Sequence, residues 1–338
     1  MILLAKSKRG FLVFFLALLL SLSTQLIADD TKVVSQQSFE DWKLELRQEA
    51  TNLGVSVKTL DEVIPQVEFI NRVIELDRNQ PEFKLTSEQY LSRVISKHRV
   101  KKGRKLLKKH HELLSRIEEK YGVQPRFLVA LWGMETGFGR MTGGFRAIDA
   151  LATLAYDGRR SAFFRKQLFK ALRIIDQGHV SYKNMLGSWA GAMGQTQFMP
   201  STFESYAVDF TGDGKINLWK DKEDALASGA NYLSSVGWQR GHTWGREVTV
   251  PENFDSKLLG FETGNNIADW QAMGVRRSDG SDLPSRDIKA FIIRLDKGVG
   301  TPYMVYENYL AIMDWNKSTN FATAVGILSD RIGRINRN

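Results

Sequence analysis

After residue 37 the apolar side chains of the chain recur mostly at helical spacing, and few segments alternate in the manner of strands. Residues 38–80 predict a series of short helices. Residues 86–122 carry apolar positions at helical spacing over a long stretch, with Thr86 as a suitable N-cap and Gly122 as a suitable stop. The first part of the chain is therefore predicted to be helical.

Further helices are predicted downstream. One opens at Pro125, a residue preferred in a first turn, and another, rich in Phe and Leu, ends at Gly178. The pattern weakens over 248–288 into polar loops with two or three short strands, and the run IKAFIIRL that follows is a candidate strand. A helix over 320–335 closes the chain. The pattern predicts a mainly α fold with minor strands, and no βαβ alternation indicates a parallel sheet.

The first 28 residues differ from the rest. Lys6, Lys8 and Arg9 precede the apolar run FLVFFLALLLSL and a short exit that ends at Ala28. This is the layout of a cleavable secretory signal, and the run is shorter than the roughly 20 residues of a membrane span. We expect export to the periplasm, with a retained N-terminal anchor as the alternative. The chain has no cysteine, which excludes a lipid-anchored lipoprotein, disulfides and thiol catalysis.

Positive charge is concentrated in the helical part at about residues 85–120. Nine Lys or Arg fall between Arg93 and Lys109 without one acidic residue. No aromatic residues interleave with these charges and the chain has an export signal, so nucleic acid is not the expected partner. Attraction to an anionic envelope polymer or membrane surface is one interpretation, and a solvated helix face is the other.

A single acid lies on the apolar face of the helix that opens at Pro125. Glu135 follows Leu131, Leu128 and Phe127 at offsets of four, seven and eight, which places all four on one side. Burial there and the negative end of the helix dipole both favour the protonated acid. A raised pKa suits a general acid that works near neutral pH. The alternative is an ordinary exposed acid at a helix end.

A second cluster, SWAGAMGQTQFMPSTF at residues 188–203, is rich in small residues. Its glycines allow the backbone to come close to a ligand. Ser188, Gln195 and Gln197 offer neutral hydrogen bonds of the kind that sugar hydroxyl and N-acetyl groups accept. Alone, this segment fits a tightly packed helix junction equally well.

Together these stretches resemble the membrane-bound lytic murein transglycosylase B family. The resemblance runs, in order, through WGMETGFGR, DGRRSAFF, MLGSWAGAMGQTQFMPSTF, DFTGDGKINLW, ANYLSSVGW and the WNKS near the end. It covers about residues 36–333 and implies a lysozyme-like catalytic core with a helical subdomain and a small insertion.

The resemblance implies cleavage of the β-1,4 bond between N-acetylmuramic acid and N-acetylglucosamine in peptidoglycan without added water. The matching glutamate, Glu135, protonates the leaving oxygen and then acts as base on the muramic C6 hydroxyl, which closes a 1,6-anhydro ring. No cofactor is implied for this chemistry. Ordinary glycosidases need two carboxylates, and Asp149 and Asp157 are the next acids in sequence. We expect both to be structural, although a hydrolase would need one of them.

The resemblance also implies substrate-binding residues. Ser188, Gln197 and Asn316 match residues of the cleft, and Tyr90 matches a cleft tyrosine. Arg159 and Arg160 match an arginine pair near the glycan or its peptide, with an ion pair at a helix start as the alternative. Two family tyrosines are replaced here by Trp315 and Phe321. Both replacements keep an aromatic ring but lose the tyrosine hydroxyl, so a hydrogen-bonding role at these two positions is in doubt.

The run DFTGDGKINLWKDKED begins like a calcium-binding EF-hand loop. The residues expected as ligands are Asp209, Thr211, Asp213, the carbonyl of Lys215, and Asp224, which matches the family's closing aspartate. The bidentate Glu of an EF-hand is absent, because Lys220 stands at the twelfth position. Asp221 or Glu223 could substitute for Asp224, and a plain Asp/Gly turn is the alternative to a metal loop.

These expectations define a signal over 1–28 and a catalytic domain over 29–338, whose EF-hand-like loop spans 209–224, with no peptidoglycan-binding module after it. Glycan strands are the expected partner, with wall-synthesis proteins as further candidates. Two rival functions remain at this stage: a hydrolytic muramidase and a catalytically silent glycan-binding scaffold.

Overall fold

A computed structural model describes residues 37–79 and 85–334, and the predicted signal over 1–28 lies outside them. The helices of this part are α1 Phe39–Asn52, α2 Val57–Val63, α3 Asn71–Arg78, α4 Ser87–Val94, α5 Lys97–Lys109, α6 His111–Tyr121, α7 Pro125–Thr136, α8 Ala147–Tyr156, α9 Ser161–Asp176, α10 Pro200–Tyr206, α11 Lys222–Ser235, α12 Ile267–Ala272, α13 Leu295–Gly298, α14 Glu307–Trp315 and α15 Thr319–Gly333. The strands are β1 Phe145–Arg146, β2 Leu186–Gly187, β3 Gly245–Thr249, β4 Asn265–Asn266, β5 Arg276–Arg277, β6 Lys289–Arg294 and β7 Pro302–Val305. The prediction of a mainly helical fold is confirmed.

The long helical segment predicted over 86–122 is divided into three helices. Its ends are as predicted: Thr86 caps α4 in a capping box with Gln89, and Gly122 ends α6 at φ 75°. Between them, the Ser96 side chain accepts the Arg99 amide and starts α5 anew, because Ser in an extended conformation satisfies the free amides of a first turn. Residue periodicity does not show this break, since the apolar positions continue through it.

The helix that carries Glu135 forms as predicted. Pro125 is its first residue, and Gly137 ends it in the left-handed conformation at φ 58°. The Gly137 amide then closes the last turn on the carbonyls of Trp132 and Gly133. Glu135 is therefore held in the final turn of α7, where the chain leaves the helix.

The strands form two antiparallel sheets. β1 and β2 make a two-stranded ribbon, and the larger sheet has the order β4-β6-β7-β3-β5. The predicted strand IKAFIIRL corresponds to β6, and β4 and β5 lie in the region where short strands were expected. The short helix α12 in that region was not predicted.

Three apolar clusters hold the described residues together. One unites α1 to α3 with α8 and α9, the second surrounds α6, α7, α11, α14 and α15, and the third covers one face of the larger sheet. α7 belongs to the second cluster, where Phe127 and Leu128 are almost fully buried. No helix within residues 37–79 and 85–334 is long and apolar enough to cross a membrane.

Candidate active site

Glu135 lies in a small cavity whose other lining is mostly apolar. The lining residues are Leu128, Leu131, Trp132, Thr196, Ala225, Leu226, Gly229 and Trp315. The carboxyl keeps some solvent access, but the surrounding protein replaces most of its water. Desolvation raises the pKa of Glu135 to about 7, and a hydrogen bond from Trp315 opposes this rise. The acid therefore holds its proton close to neutral pH, as its helical neighbours predicted.

Trp315 supplies the hydrogen bond. Its indole Nε1 donates to Glu135 Oε1 over 2.8 Å, from the last residue of α14. The resemblance left a hydrogen-bonding role at this position in doubt, because the tyrosine hydroxyl is lost. The structure shows that the indole N–H provides one.

The segment after β2 is joined to the end of α7 by buried hydrogen bonds. Trp132 Nε1 donates to Gln195 Oε1 over 3.0 Å, and Thr136 Oγ1 donates to the Gln195 carbonyl over 3.0 Å. Gly139 must be glycine here, since a Cβ atom would lie 2.4 Å from Gln195 Oε1 and its φ is 75°. Gln195, which the sequence suggested as a sugar-binding amide, is instead a buried structural link.

Thr196 was not identified from the sequence. Its side chain is 5% exposed and lines the Glu135 cavity, and its Oγ1 has no hydrogen-bond partner within residues 37–79 and 85–334. An unsatisfied buried hydroxyl is costly, so one that faces a cavity is available to a group that enters it.

The expected substrate-binding residues have different surroundings. Ser188 Oγ accepts the amides of Ala190 and Ala192, which leaves its proton free to donate. Gln197 Nε2 donates to the carbonyls of Thr142 and Gly194, which leaves Oε1 for a ligand.

Two other expected contacts lie near α7 and α14. Asn316 is exposed and follows Trp315 directly, and its Oδ1 accepts the Ser318 amide. Tyr90 is half-buried and packs on the apolar cluster that contains α7.

Arg159 and Arg160 both bind the carboxylate of Asp77, Arg159 over 3.3 Å. Asp77 is 2% exposed, so this ion pair neutralises an otherwise costly buried charge. The ion pair that the sequence left as an alternative is present, although both guanidinium groups also remain partly exposed.

The other acids near in sequence are engaged elsewhere. Asp149 is fully buried and accepts hydrogen bonds from Tyr182 Oη over 2.6 Å, from Arg146 Nε and from the Glu68 amide. Asp157 pairs with Arg78 over 2.8 Å. Neither lines the Glu135 cavity.

The EF-hand-like loop is organised by its own acids. Asp209 accepts the amides of Gly212, Asp213 and Gly214, as expected of a tight turn. Asp224 is 1% exposed and accepts the amides of Phe210, Thr211 and Asn217, so it ties α11 to the loop. Within the described residues, no group of three or more His, Cys, Asp or Glu side chains is arranged to hold a metal ion.

A larger cleft, about 770 Å³, lies between α4, the five-stranded sheet and the end of α15. Its lining carries both signs of charge and includes none of the residues around Glu135. The acid that the sequence predicts to be catalytic therefore lines the smaller cavity and not the larger cleft.

Comparison with known proteins identifies the architecture. The model of the transglycosylase SLT domain family matches residues 38–330. Membrane-bound lytic murein transglycosylase B of Escherichia coli K12 is 34% identical over 296 residues, which cover 82% of this chain and 79% of the relative.

Solved structures agree with the family match. SltB3 of Pseudomonas aeruginosa, in complex with NAG-anhNAM-pentapeptide, has a TM-score of 0.85 and 42% identity over 88% of this chain and 80% of its own. The lytic transglycosylase Slt35 of Escherichia coli, in complex with calcium, has a TM-score of 0.73 and 32% identity over 86% of this chain and 92% of its own. The chain belongs to the SLT transglycosylase family, and it is a lytic murein transglycosylase with a lysozyme-like fold.

Proposed function

We propose that Glu135 alone carries the acid and the base step of this lytic transglycosylase. The substrate is the β-1,4 bond between N-acetylmuramic acid and N-acetylglucosamine of peptidoglycan. Glu135 gives its proton to the glycosidic oxygen as the C1–O bond breaks. The resulting carboxylate takes the proton of the muramic C6 hydroxyl while O6 bonds to C1, so a 1,6-anhydro ring forms and no water is consumed.

The observation that carries this proposal is a desolvated carboxyl in a cavity whose described lining holds no second acid. Desolvation raises the pKa of Glu135 to about 7, which is the value a group needs if it is to give and retake a proton near neutrality. Hydrolytic glycosidases use a carboxylate pair about 5–10 Å apart. Asp149 and Asp157 have other partners, so neither supports a hydrolase mechanism.

Substrate contacts are proposed for Ser188, Gln197, Asn316 and Tyr90. The free hydroxyl proton of Ser188 and the free Oε1 of Gln197 are suited to hydroxyl and N-acetyl groups. SltB3 crystallises with NAG-NAM-pentapeptide, which supports a glycan with attached peptide as the ligand of this chain too. Arg159 and Arg160 would contact that peptide only through guanidinium edges that Asp77 leaves exposed.

Product analysis tests the reaction. We expect purified sacculi digested by the wild-type enzyme to release muropeptides lighter by one water than hydrolysis products, as measured by mass spectrometry. Reducing-end muramic acid in their place would show a hydrolytic muramidase. No released muropeptide from a correctly folded protein would support a scaffold. A denatured-enzyme blank controls for spontaneous cleavage.

We also propose that the loop over 209–224 binds Ca²⁺ for stability rather than for catalysis. Its donors are the carboxylates of Asp209 and Asp213, the Thr211 hydroxyl and the Lys215 carbonyl, an all-oxygen set that suits a hard cation. Asp224 already accepts three backbone amides of the loop, so it would stabilise the loop conformation without being a ligand itself. Slt35 in complex with calcium supports the choice of metal.

The melting temperature tests this loop. With so few acids, we expect weak binding, and Ca²⁺ at about ten times its Kd should raise the melting temperature by about 3 °C. EGTA should reverse the rise, and Asp213→Ala, which removes the ligand oxygen, should abolish it. An equal rise with Mg²⁺ would indicate a general ionic effect rather than a calcium loop.

Export to the periplasm is proposed from the segment over 1–28. α5 then presents exposed lysines that form no ion pair within the described residues: Lys97, Lys101, Lys105, Lys108 and Lys109. Lys102 differs, since it donates to the Gly137 carbonyl and supports the end of α7. These five lysines suit an anionic envelope surface, and binding to anionic vesicles that weakens with salt would support that role.

A further inference from the structure

We propose that Trp315 is a positioning residue that holds Glu135 Oε1 as a permanent acceptor, so that Oε2 alone delivers and retakes the proton. This role rests on the proposed function of Glu135. It assigns different tasks to the two oxygens of one carboxyl group.

The donor to Glu135 is the indole N–H of Trp315. An indole N–H can donate a hydrogen bond but cannot accept one. Trp315 Nε1 lies 2.8 Å from Glu135 Oε1, which is ideal for such a bond. In a neutral carboxylic acid the carbonyl oxygen is a much better acceptor than the hydroxyl oxygen, so the oxygen that accepts the indole N–H is the one without the proton. The neutral acid therefore carries its proton on Oε2, and this oxygen has no hydrogen-bond partner within residues 37–79 and 85–334.

Packing fixes the indole in this orientation. The ring of Phe198 lies 5.2 Å from that of Trp315, and the ring of Tyr232 meets it edge-on at 5.1 Å. On α11, Gly229 lies directly against the indole, since a Cβ atom there would be in van der Waals contact, 3.5 Å from Trp315 Cη2. The aromatic neighbours restrict both side-chain torsions, so the N–H direction is set before substrate arrives.

The bond also matters between the two chemical steps. When Oε2–H transfers to the glycosidic oxygen, the electron pair stays on a carboxylate in a mostly apolar cavity. The indole hydrogen bond then becomes charge-assisted and stronger. Oε2 next accepts the proton of the C6 hydroxyl, and the neutral acid is restored with its proton on the same oxygen. Trp315 thus stabilises the charged form that Glu135 takes between proton donation and proton removal.

The test compares Trp315→Phe with Trp315→Tyr. Phe keeps an aromatic ring but removes the donor, while a tyrosine hydroxyl can restore one. The matched control is Trp219→Phe, since Trp219 is also half-buried and its Nε1 donates to the Leu186 carbonyl over 2.7 Å instead of to Glu135. Each variant is assayed for kcat and KM across pH by release of anhydro product. The carboxyl carbon of labelled Glu135 is titrated in parallel by NMR.

The hydrogen bond determines the direction in which the pKa of Glu135 should shift in the variants. Without the N–H the carboxylate is less stable, so the pKa of Glu135 rises and the acid stays protonated to higher pH. For Trp315→Phe we expect the alkaline limb and the NMR midpoint to move up by about one pH unit. We also expect kcat to fall about tenfold with little change in KM. Trp315→Tyr should keep the alkaline limb of the pH profile and the NMR midpoint near their wild-type values, and Trp219→Phe should change neither of them.

Two results would overturn the proposal. One is an unshifted NMR midpoint in Trp315→Phe, with kcat lowered equally at every pH, because that describes a packing residue. The other is a tyrosine variant as defective and as shifted as the phenylalanine variant despite a wild-type melting temperature. Glu135→Gln separates this proposal from the underlying one. Full turnover in Glu135→Gln would remove the assigned acid itself, whereas an inactive Glu135→Gln with an unshifted Trp315→Phe would remove only the role of Trp315.

Discussion

Glu135 and Asp149 are both carboxyl groups in buried surroundings, and desolvation raises the pKa of each. They differ in their partners. Asp149 accepts hydrogen bonds from Tyr182, Arg146 and the Glu68 amide, whereas Glu135 accepts one, from Trp315. The comparison shows that burial alone does not distinguish a reactive acid from a structural one. An acid that keeps an unoccupied oxygen beside a cavity can exchange protons with a ligand, while an acid whose oxygens are all engaged holds the fold together.

The largest expected effect is on activity. Glu135→Gln keeps the shape and the acceptor oxygen for Trp315 but removes the proton, so both proton transfers fail. General acid–base catalysis is worth about 10²–10⁴-fold, and we expect turnover of sacculi to fall at least about 10³-fold. Asp149→Asn is the matched control, with turnover per folded molecule within about threefold of wild type. Equal losses in the two variants would contradict the distinction.

Stability should show the opposite order. Asp149→Ala removes the buried acceptor that Arg146 and Tyr182 share, although Tyr182 Oη keeps the Gln66 carbonyl as a partner. Loss of one member of a buried pair typically costs about 3–5 kcal/mol. Arg146 also pairs with Glu68, so we expect the lower end, about 3 kcal/mol, and a melting temperature lower by roughly 6–10 °C. Urea unfolding measures the difference. A loss below about 1 kcal/mol would show that the network is not structural.

Local signals in the sequence predicted much of this arrangement. The caps Thr86, Gly122 and Gly137 lie where side-chain and glycine preferences place them, and the apolar face of α7 predicted the desolvation of Glu135. The donor to Glu135 is 180 residues away in the chain, and no periodicity can show such a contact. Gln195 illustrates the same limit, since its residue type suits a sugar but its buried position depends on Trp132 and Thr136.

The raised pKa of Glu135 should also make the stability of the folded protein depend on pH. The pKa of Glu135 is about 7 in the folded state and about 4.3 in an unfolded chain, so the folded state binds the extra proton between these values. Wild-type stability should therefore fall as pH rises from about 4.5 through 7, and Gln cannot titrate. Between pH 5 and pH 8, we expect the free energy of unfolding of Glu135→Gln to rise by on the order of 2 kcal/mol relative to that of the wild type. This is less than the full pKa shift of Glu135 would give, because the side chain is partly exposed. Parallel unfolding curves at both pH values would contradict the raised pKa.

The smallest changes in stability are expected for substitutions of two threonines beside the Glu135 cavity. Thr136 Oγ1 donates to the Gln195 carbonyl and accepts the Gly139 amide, whereas Thr196 Oγ1 has no partner within the described residues and lines the cavity. Thr136→Val, which keeps the shape, should lower the free energy of unfolding by about 1–2 kcal/mol. Thr196→Val removes an unsatisfied hydroxyl and should leave stability unchanged or slightly higher.

The two threonine substitutions should affect activity in the opposite order to their effects on stability. If the Thr196 hydroxyl contacts the glycan, Thr196→Val raises KM or lowers kcat by about fivefold, the size of one hydrogen bond of about 1 kcal/mol. Thr136→Val should leave the kinetics of the folded fraction and its pH profile unchanged, although the residue adjoins Glu135 in the chain. Loss of stability without loss of activity in Thr196→Val would mean that its hydroxyl is satisfied within the protein. The pair therefore tests, at the scale of a single hydroxyl, the rule that the two carboxyl groups follow: an unpartnered group at the cavity serves the ligand, and a fully bonded one serves the fold.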